Sequence, residues 1–170
     1  MHVFYNTMII KKALYDDIEL LVPIYDYARK FMADNGNPNQ WIDGYPSREI
    51  IAKDISNGNC FICKNEEGSI IGAFTFMIGE DPTYGKIYKG QWLNDKPYGV
   101  IHRLVSDGTT HGITKECIKW CLKQIGNIRI DTHADNKIMQ SLLHKSGFEY
   151  CGIIHTHNGT ERLAFQISEQ

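Results

Sequence analysis

Asn136-Lys137-Ile138-Met139-Gln140-Ser141-Leu142-Leu143-His144-Lys145-Ser146-Gly147-Phe148 is the run that decides the fold. A polar Asn opens it, and Met139 and Leu142 carry an apolar stripe at helical spacing. Lys145 falls where a last helical turn presents its carbonyls, and Gly147 supplies the left-handed stop before Phe148. Residues 128–133 read as a strand before this helix (135–146), and 148–155 read as another after it. The stretch 127–152 is therefore strand, turn, helix, strand.

Working outward, the preceding helix at 112–125 buries Ile113, Cys117, Trp120 and Cys121. Its opposite face carries Lys115, Lys119 and Lys123 to solvent. Strand 98–106 comes before it, and strand–helix–strand spacing implies a parallel pair, 98–106 beside 128–133, with a right-handed crossover. Towards the N-terminus, 8–14 reads as a strand. Asp16 then stands as N-cap with Glu19 three residues on, the capping-box arrangement. Ile18, Leu21, Val22, Tyr25, Ala28 and Met32 predict an amphipathic helix over 17–34, and Pro23 predicts a kink or a break into two pieces. A second helix opens near Ser47. Antiparallel strands follow at 60–64 and 69–78, then an irregular segment at 79–97. Asn158-Gly159 marks a hairpin turn into a last strand, 162–168. The expected fold is α/β (mixed α+β): one domain over 8–170, with a central mixed sheet of about seven strands flanked by helices. Residues 1–7 read as an N-terminal arm.

Composition narrows the function. The chain has 170 residues, 42% of them hydrophobic, enough for a substantial core. Its 20 acidic and 18 basic side chains leave a formal charge of -2, without the basic excess a nucleic-acid partner calls for. No run approaches the roughly 18 apolar residues of a membrane span, and no secretory signal opens the chain. Five cysteines are scattered as Cys60, Cys63, Cys117, Cys121 and Cys151. Cys60 and Cys63 have the spacing of half a zinc site, but buried, reduced thiols are the stronger reading. An odd offset along a strand sends these two to opposite faces. A cytoplasmic protein without a metal is the expectation.

The loop Ser106-Asp107-Gly108-Thr109-Thr110-His111-Gly112-Ile113-Thr114 joins the first parallel strand to its helix. Free backbone N–H groups and the positive end of a helix dipole point to an anion site there, with a purely geometric glycine-rich turn as the competing reading. No Gly-Lys-Ser/Thr triplet occurs, so this is not a nucleotide-hydrolysing phosphate loop.

From Asn136 the chain resembles the GNAT superfamily of acyl-CoA-dependent N-acyltransferases. That family's signature is Asn-x-x-Ala-x-x-Leu-Tyr-x-Lys-x-Gly-Phe, and Asn136, Leu142, Lys145, Gly147 and Phe148 keep it in register. Met139 replaces the Ala and Leu143 the Tyr. The family's diphosphate turn, Gln/Arg-x-x-Gly-x-Gly/Ala, aligns on Gly112, with Thr109 and Thr114 at its two ends. The resemblance implies acetyl-CoA as co-substrate. It assigns cofactor contacts to Leu104, Val105, Thr109, His111, Gly112, Ile113, Thr114 and Asn136, within a splayed pair of parallel strands. It also implies a missing acid at Leu143, where many members carry a phenol that protonates the departing thiolate.

The acceptor amine needs a base, and histidine titrates near neutrality. His133 at the end of the second parallel strand and His102 within the first are the candidate catalytic residues. A hydrogen-bonded core role for His102 and a helix-capping role for His133 are the competing readings. Arg103, Arg129 and Asp131 suggest a structural ion-pair set. The resemblance implies that residues 40–46 and the irregular segment 79–97 frame the acceptor pocket. That makes Trp41, Tyr45, Glu80, Tyr84 and Trp92 the expected acceptor-binding residues, since acids attract an ammonium and rings wall it; packing of Trp41, Tyr45 and Trp92 onto the domain is the competing reading. The expected activity is acetyl transfer to a primary amine of a small molecule or peptide, by direct attack in a ternary complex. A degenerate acyl-CoA-binding module is the alternative. Neither nucleic acid nor membrane is expected as a partner, and a homodimer is compatible with the sequence.

Overall fold

A computed structural model describes residues 8–169; the arm expected at residues 1–7 lies outside the described residues. Seven strands form one mixed sheet: β1 (Ile9–Lys12), β2 (Cys60–Lys64), β3 (Ile70–Ile78), β4 (Gly99–Ser106), β5 (Asn127–Thr132), β6 (Glu149–His155) and β7 (Glu161–Ser168). Four helices accompany it: α1 (Ile18–Asp34), α2 (Arg48–Ser56), α3 (Ile113–Gln124) and α4 (Lys137–Lys145). The sheet order is β1-β2-β3-β4-β5-β7-β6. Only β4 and β5 run parallel, and they pair at just Gly99 with Ile128 and Val100 with Arg129. Beyond those two positions the strands part, as the splayed pair requires.

Alternation along β2 sorts the core into two layers. Phe61 and Cys63 join Cys117, Ile118, Leu143 and Phe148 under α3 and α4. Cys60 and Ile62 join Leu21, Tyr25 and Ile51 under α1 and α2. Cys60 and Cys63 thus face opposite ways, as their odd offset predicts, and all five cysteines are free and buried.

The helix ends follow local chemistry. Asn136 caps α4 by accepting the Met139 N–H at 3.1 Å. At the other end Phe148 N–H reaches Leu143 O at 3.0 Å and Gly147 N–H reaches His144 O at 3.1 Å, a Schellman closure with Gly147 at φ 94°. Ser47 caps α2 through the Ile50 N–H. Two expectations at α1 are corrected. Asp16 is not the cap: residues 15–17 form a 3-10 turn that delays the helix, Asp17 accepts the Leu14 N–H at 2.7 Å, and Glu19 pairs outward with Arg48. Nor does Pro23 split the helix, which is continuous over 17 residues. Pro23 and Glu19 are both exposed, so water can satisfy the carbonyl that the proline leaves without a donor.

The irregular segment before β4 straps the open edge of β6. Tyr88 and Ile153 exchange both backbone hydrogen bonds at 2.8 Å. Gly90 is required where the strap crosses, because a Cβ there would lie 1.8 Å from the Cys151 carbonyl oxygen. Covering an edge strand in this way blocks unwanted pairing.

Candidate active site

Parting β4 from β5 opens two cavities. The larger, about 580 Å³, lies among the α1–α2 connection, β4, β5 and the β6–β7 hairpin. The smaller, about 250 Å³, lies among α1, the end of β4 and α4. Met32, Leu104, Asn136 and Met139 line both, so the cavities meet there.

The shape of β4 at this junction is set by a bulge. Its register against β3 shifts between Ala73 and Thr75, and Arg103 sits at φ 50°, a conformation non-glycine residues rarely adopt. A fork of bonds holds it. Arg103 Nε and Nη2 donate to the two Asp54 oxygens at 2.7 and 2.8 Å, and Nη1 donates to the Tyr45 hydroxyl at 2.8 Å. Asp54 also accepts the Thr75 hydroxyl at 2.8 Å. The ion-pair set expected among Arg103, Arg129 and Asp131 does not form. Arg129 is instead sandwiched at 4.3 and 4.0 Å by the Trp92 and Tyr98 rings, and Asp131 accepts the Tyr84 hydroxyl at 2.6 Å.

Of the two candidate bases, only His102 lines a cavity, the larger one. Its Nε2 lies 2.7 Å from Asp81 Oδ2. Burial works to raise the Asp81 pKa, but hydrogen bonds from His102 and Thr83 outweigh it and bring the carboxyl down to about 2. His133 faces neither cavity; its Nδ1 accepts the Asp135 N–H at 3.0 Å, which closes the turn before α4, while the helix cap itself is Asn136. Tyr84 is fully buried behind Asp131, and burial followed by that carboxylate pushes its phenol well above the usual range.

The acceptor residues divide. Trp41 and Tyr45 line the larger cavity, whereas Glu80, Tyr84 and Trp92 do not. Glu80 is exposed, and Trp92 donates to the Tyr84 carbonyl at 2.9 Å while stacking on Arg129. The strap's crossing of β6 carries most of the irregular segment away, so Asp81 and Thr83 are its cavity residues.

The cofactor residues divide as well. Leu104, Val105, Thr114 and Asn136 line the smaller cavity. Gly112 is in the left-handed conformation at φ 84° as the N-cap of α3, with no side chain capping that end. The first N–H groups of α3 are thus left without a side-chain cap, which suits a diphosphate. Ile113 buries its side chain in the core, so its backbone alone is left for that task. His111 is exposed. Thr109 is turned inward on the loop, its N–H and hydroxyl donating to Asp107 Oδ1 at 3.0 and 2.7 Å. Leu143 is fully buried in the core and lines neither cavity.

Two residues were given no role of their own in the sequence reading: Gln40, the first residue of the 40–46 connection, and Arg162. Gln40 Oε1 accepts from Asn37 Nδ2 at 2.9 Å, Asn136 Nδ2 at 3.0 Å, and Thr132 Oγ1 and His133 N at 3.3 Å. It ties the α1–α2 connection to the end of β5 and the start of α4. Arg162 of β7 reaches the larger cavity and donates to the Gln40 carbonyl at 2.9 Å. Only their polar character within otherwise ordinary loop and strand stretches could have marked them. No cysteine is poised as a nucleophile: burial pushes the Cys60 thiol up to about 12 and raises Cys121 and Cys151, and Cys117 is raised by its hydrogen-bonded contact with Cys63 and by burial.

A crystal structure of a GNAT-family acetyltransferase from Streptococcus agalactiae is 30% identical to this chain, covers 98% of both chains and superposes at TM-score 0.87. The chain belongs to the GNAT family. A GNAT-family acetyltransferase from Listeria monocytogenes shares the fold at 18% identity, covering 98% of this chain and 97% of its own, at TM-score 0.71. The NatC complex bound to Gag peptide and CoA contains a chain of the same fold at 12% identity, covering 96% and 99%, at TM-score 0.61. No family model and no curated relative matches the sequence. In this GNAT protein no helix of the described residues is long and apolar enough to cross a membrane.

Proposed function

We propose that this GNAT protein transfers acetyl from acetyl-CoA to a primary amine by direct attack in a ternary complex. The observation that carries the reading is the junction of the two cavities at Leu104, Asn136, Met139 and Met32, with the His102–Asp81 pair lining the acceptor side. Acetyl-CoA supplies an activated thioester carbonyl. The smaller, largely apolar cavity suits a pantetheine arm, and the uncapped start of α3 suits its diphosphate. Backbone N–H groups near Leu104 and Val105 hold the charge that develops on the carbonyl oxygen.

With Asp81 accepting the Nε2–H, His102 keeps Nδ1 as a free base to receive the acceptor's ammonium proton. The amine nitrogen then bonds to the carbonyl carbon, the carbon–sulfur bond breaks, and the sulfur leaves as a thiolate that water can protonate. That leaving group tolerates the burial of Leu143. A second reading, a binding module without turnover, is favoured by the same Leu143 and by the Asp107 contact that occupies Thr109.

Thermal-shift titration tests cofactor binding. A ligand at a hundredfold excess over its Kd adds about 2.7 kcal/mol, so acetyl-CoA should raise the Tm by several degrees. An unchanged Tm at millimolar acetyl-CoA would defeat both readings, and thiol release with an amine present separates enzyme from binding module.

A further inference from the structure

Arg162 lines the acceptor cavity as a cation without an anion. It forms no ion pair among the described residues, its protein partner is the Gln40 carbonyl, and its Nε is buried with no hydrogen-bond partner. Burial lowers its pKa, and nearby Asp131 opposes that effect. Arg129, the other arginine with a buried Nε lacking a partner, is stacked between two aromatic rings. Arg103 is forked onto Asp54. Arg162 has neither kind of compensation, and leaving a partly buried charge in that condition is costly.

Its place in the sheet says what would complete it. Asp131 of β5 lies opposite Ala164 of β7, and Arg162 is two residues from Ala164 on the same face. The two charged residues are diagonal neighbours, about 7–8 Å apart by sheet geometry. Each is engaged elsewhere: Asp131 by the Tyr84 hydroxyl, Arg162 by the Gln40 carbonyl. One wall of the cavity therefore presents a carboxylate and a guanidinium side by side but not joined. His102 lines the same cavity.

Resting on the acetyltransferase reading, we propose that the acceptor is a free amino acid, whose carboxylate is held by Arg162 while its amine faces Asp131 and His102. A guanidinium meets a carboxylate through two parallel N–H···O bonds, which fixes orientation as well as charge. An amine with no nearby anion leaves Arg162 as it stands, without compensation. A peptide N-terminus is disfavoured for that reason, since its α-carboxylate has become an amide.

The test compares acetylation of L-amino acids with that of their carboxamides, which keep the amine and side chain and remove only the anion. The expected result is a preference for the carboxylates of at least about tenfold in kcat/KM, expressed mainly in KM. In Arg162→Gln that ratio falls towards one. Carboxamides used as well as or better than the acids overturn the proposal, as does a ratio unchanged in Arg162→Gln. If the variant does not fold, the wild-type ratio decides alone. Binding of acetyl-CoA is followed separately by thermal shift. A clear shift without turnover of any amino acid overturns the acceptor assignment and spares cofactor binding, whereas no shift overturns the acetyltransferase reading itself.

Discussion

In the proposed mechanism, His102 and Asp81 form the pair on which the chemistry turns. Positioned acid–base groups contribute roughly 10²–10⁴-fold, so His102→Ala should lower kcat/KM by at least about a hundredfold. His133→Ala, which removes only a turn cap, should keep most activity. Steady-state rates at saturating acetyl-CoA check both, and a silent His102→Ala would remove the base assignment. Asp81→Asn should lower kcat, because an amide cannot stabilise the imidazolium as a carboxylate does. The same carboxyl affects stability. Its folded pKa of about 2 lies below the ordinary 3.8, so its contribution is fully present above about pH 4 and is lost as pH falls through 2. At about 1.4 kcal/mol per pKa unit, reduced for solvent screening at a partly exposed pair, that contribution is roughly 1 kcal/mol. Chemical denaturation from pH 6 to pH 2 should show wild type and Asp81→Asn converging at the acid end; parallel curves would contradict the assignment.

Among the elements, the bulge in β4 and the end of α4 make separate demands. Arg103 keeps its positive φ through Asp54, so Asp54→Ala leaves a mostly buried guanidinium without its anion. Breaking such a pair costs roughly 3 kcal/mol. Asp54→Ala should lower the Tm and raise the KM for acetyl-CoA together, although Asp54 lines neither cavity. Unchanged cofactor KM would show that the bulge does not shape the cleft. Gly147→Ala places a Cβ on a left-handed residue, and thermal melts should show a loss of about 1 kcal/mol. The α4 segment was readable from its residues alone because its cap, stripe and stop act within a few positions of one another. The Asp54–Arg103 fork was not, since its partners lie 49 residues apart and a positive φ at an arginine leaves no mark in composition. Gln40 is hidden for the same reason: its partners Thr132, His133 and Asn136 come from more than 90 positions away. The Asp16 cap failed locally, because Asp17 offered the same chemistry one residue later and folded back on Leu14.

At the scale of the whole molecule, two layers of helix on a seven-stranded sheet create one cleft approached from two sides. The strand pattern and the crossover spacing made that architecture legible, including the parallel pair, whereas its splaying was implied only by the family resemblance. The acceptor wall was less so. Trp41 and Tyr45 reach it, but the strap over β6 diverts Trp92 and Glu80, and the contribution of Arg162 emerges only when β7 inserts between β5 and β6. Separate cavities meeting at four residues predict that both substrates bind before chemistry. Initial rates with both concentrations varied should give intersecting reciprocal plots, and parallel lines would point to a covalent acetyl-enzyme that no cysteine here is placed to form. The most direct measurement is release of coenzyme A thiol from acetyl-CoA with and without an amino-acid acceptor, paired with mass analysis of the product. The account predicts acceptor-dependent thiol release with one acetyl added to the acceptor amine; bound acetyl-CoA with no release across an amine panel would contradict it.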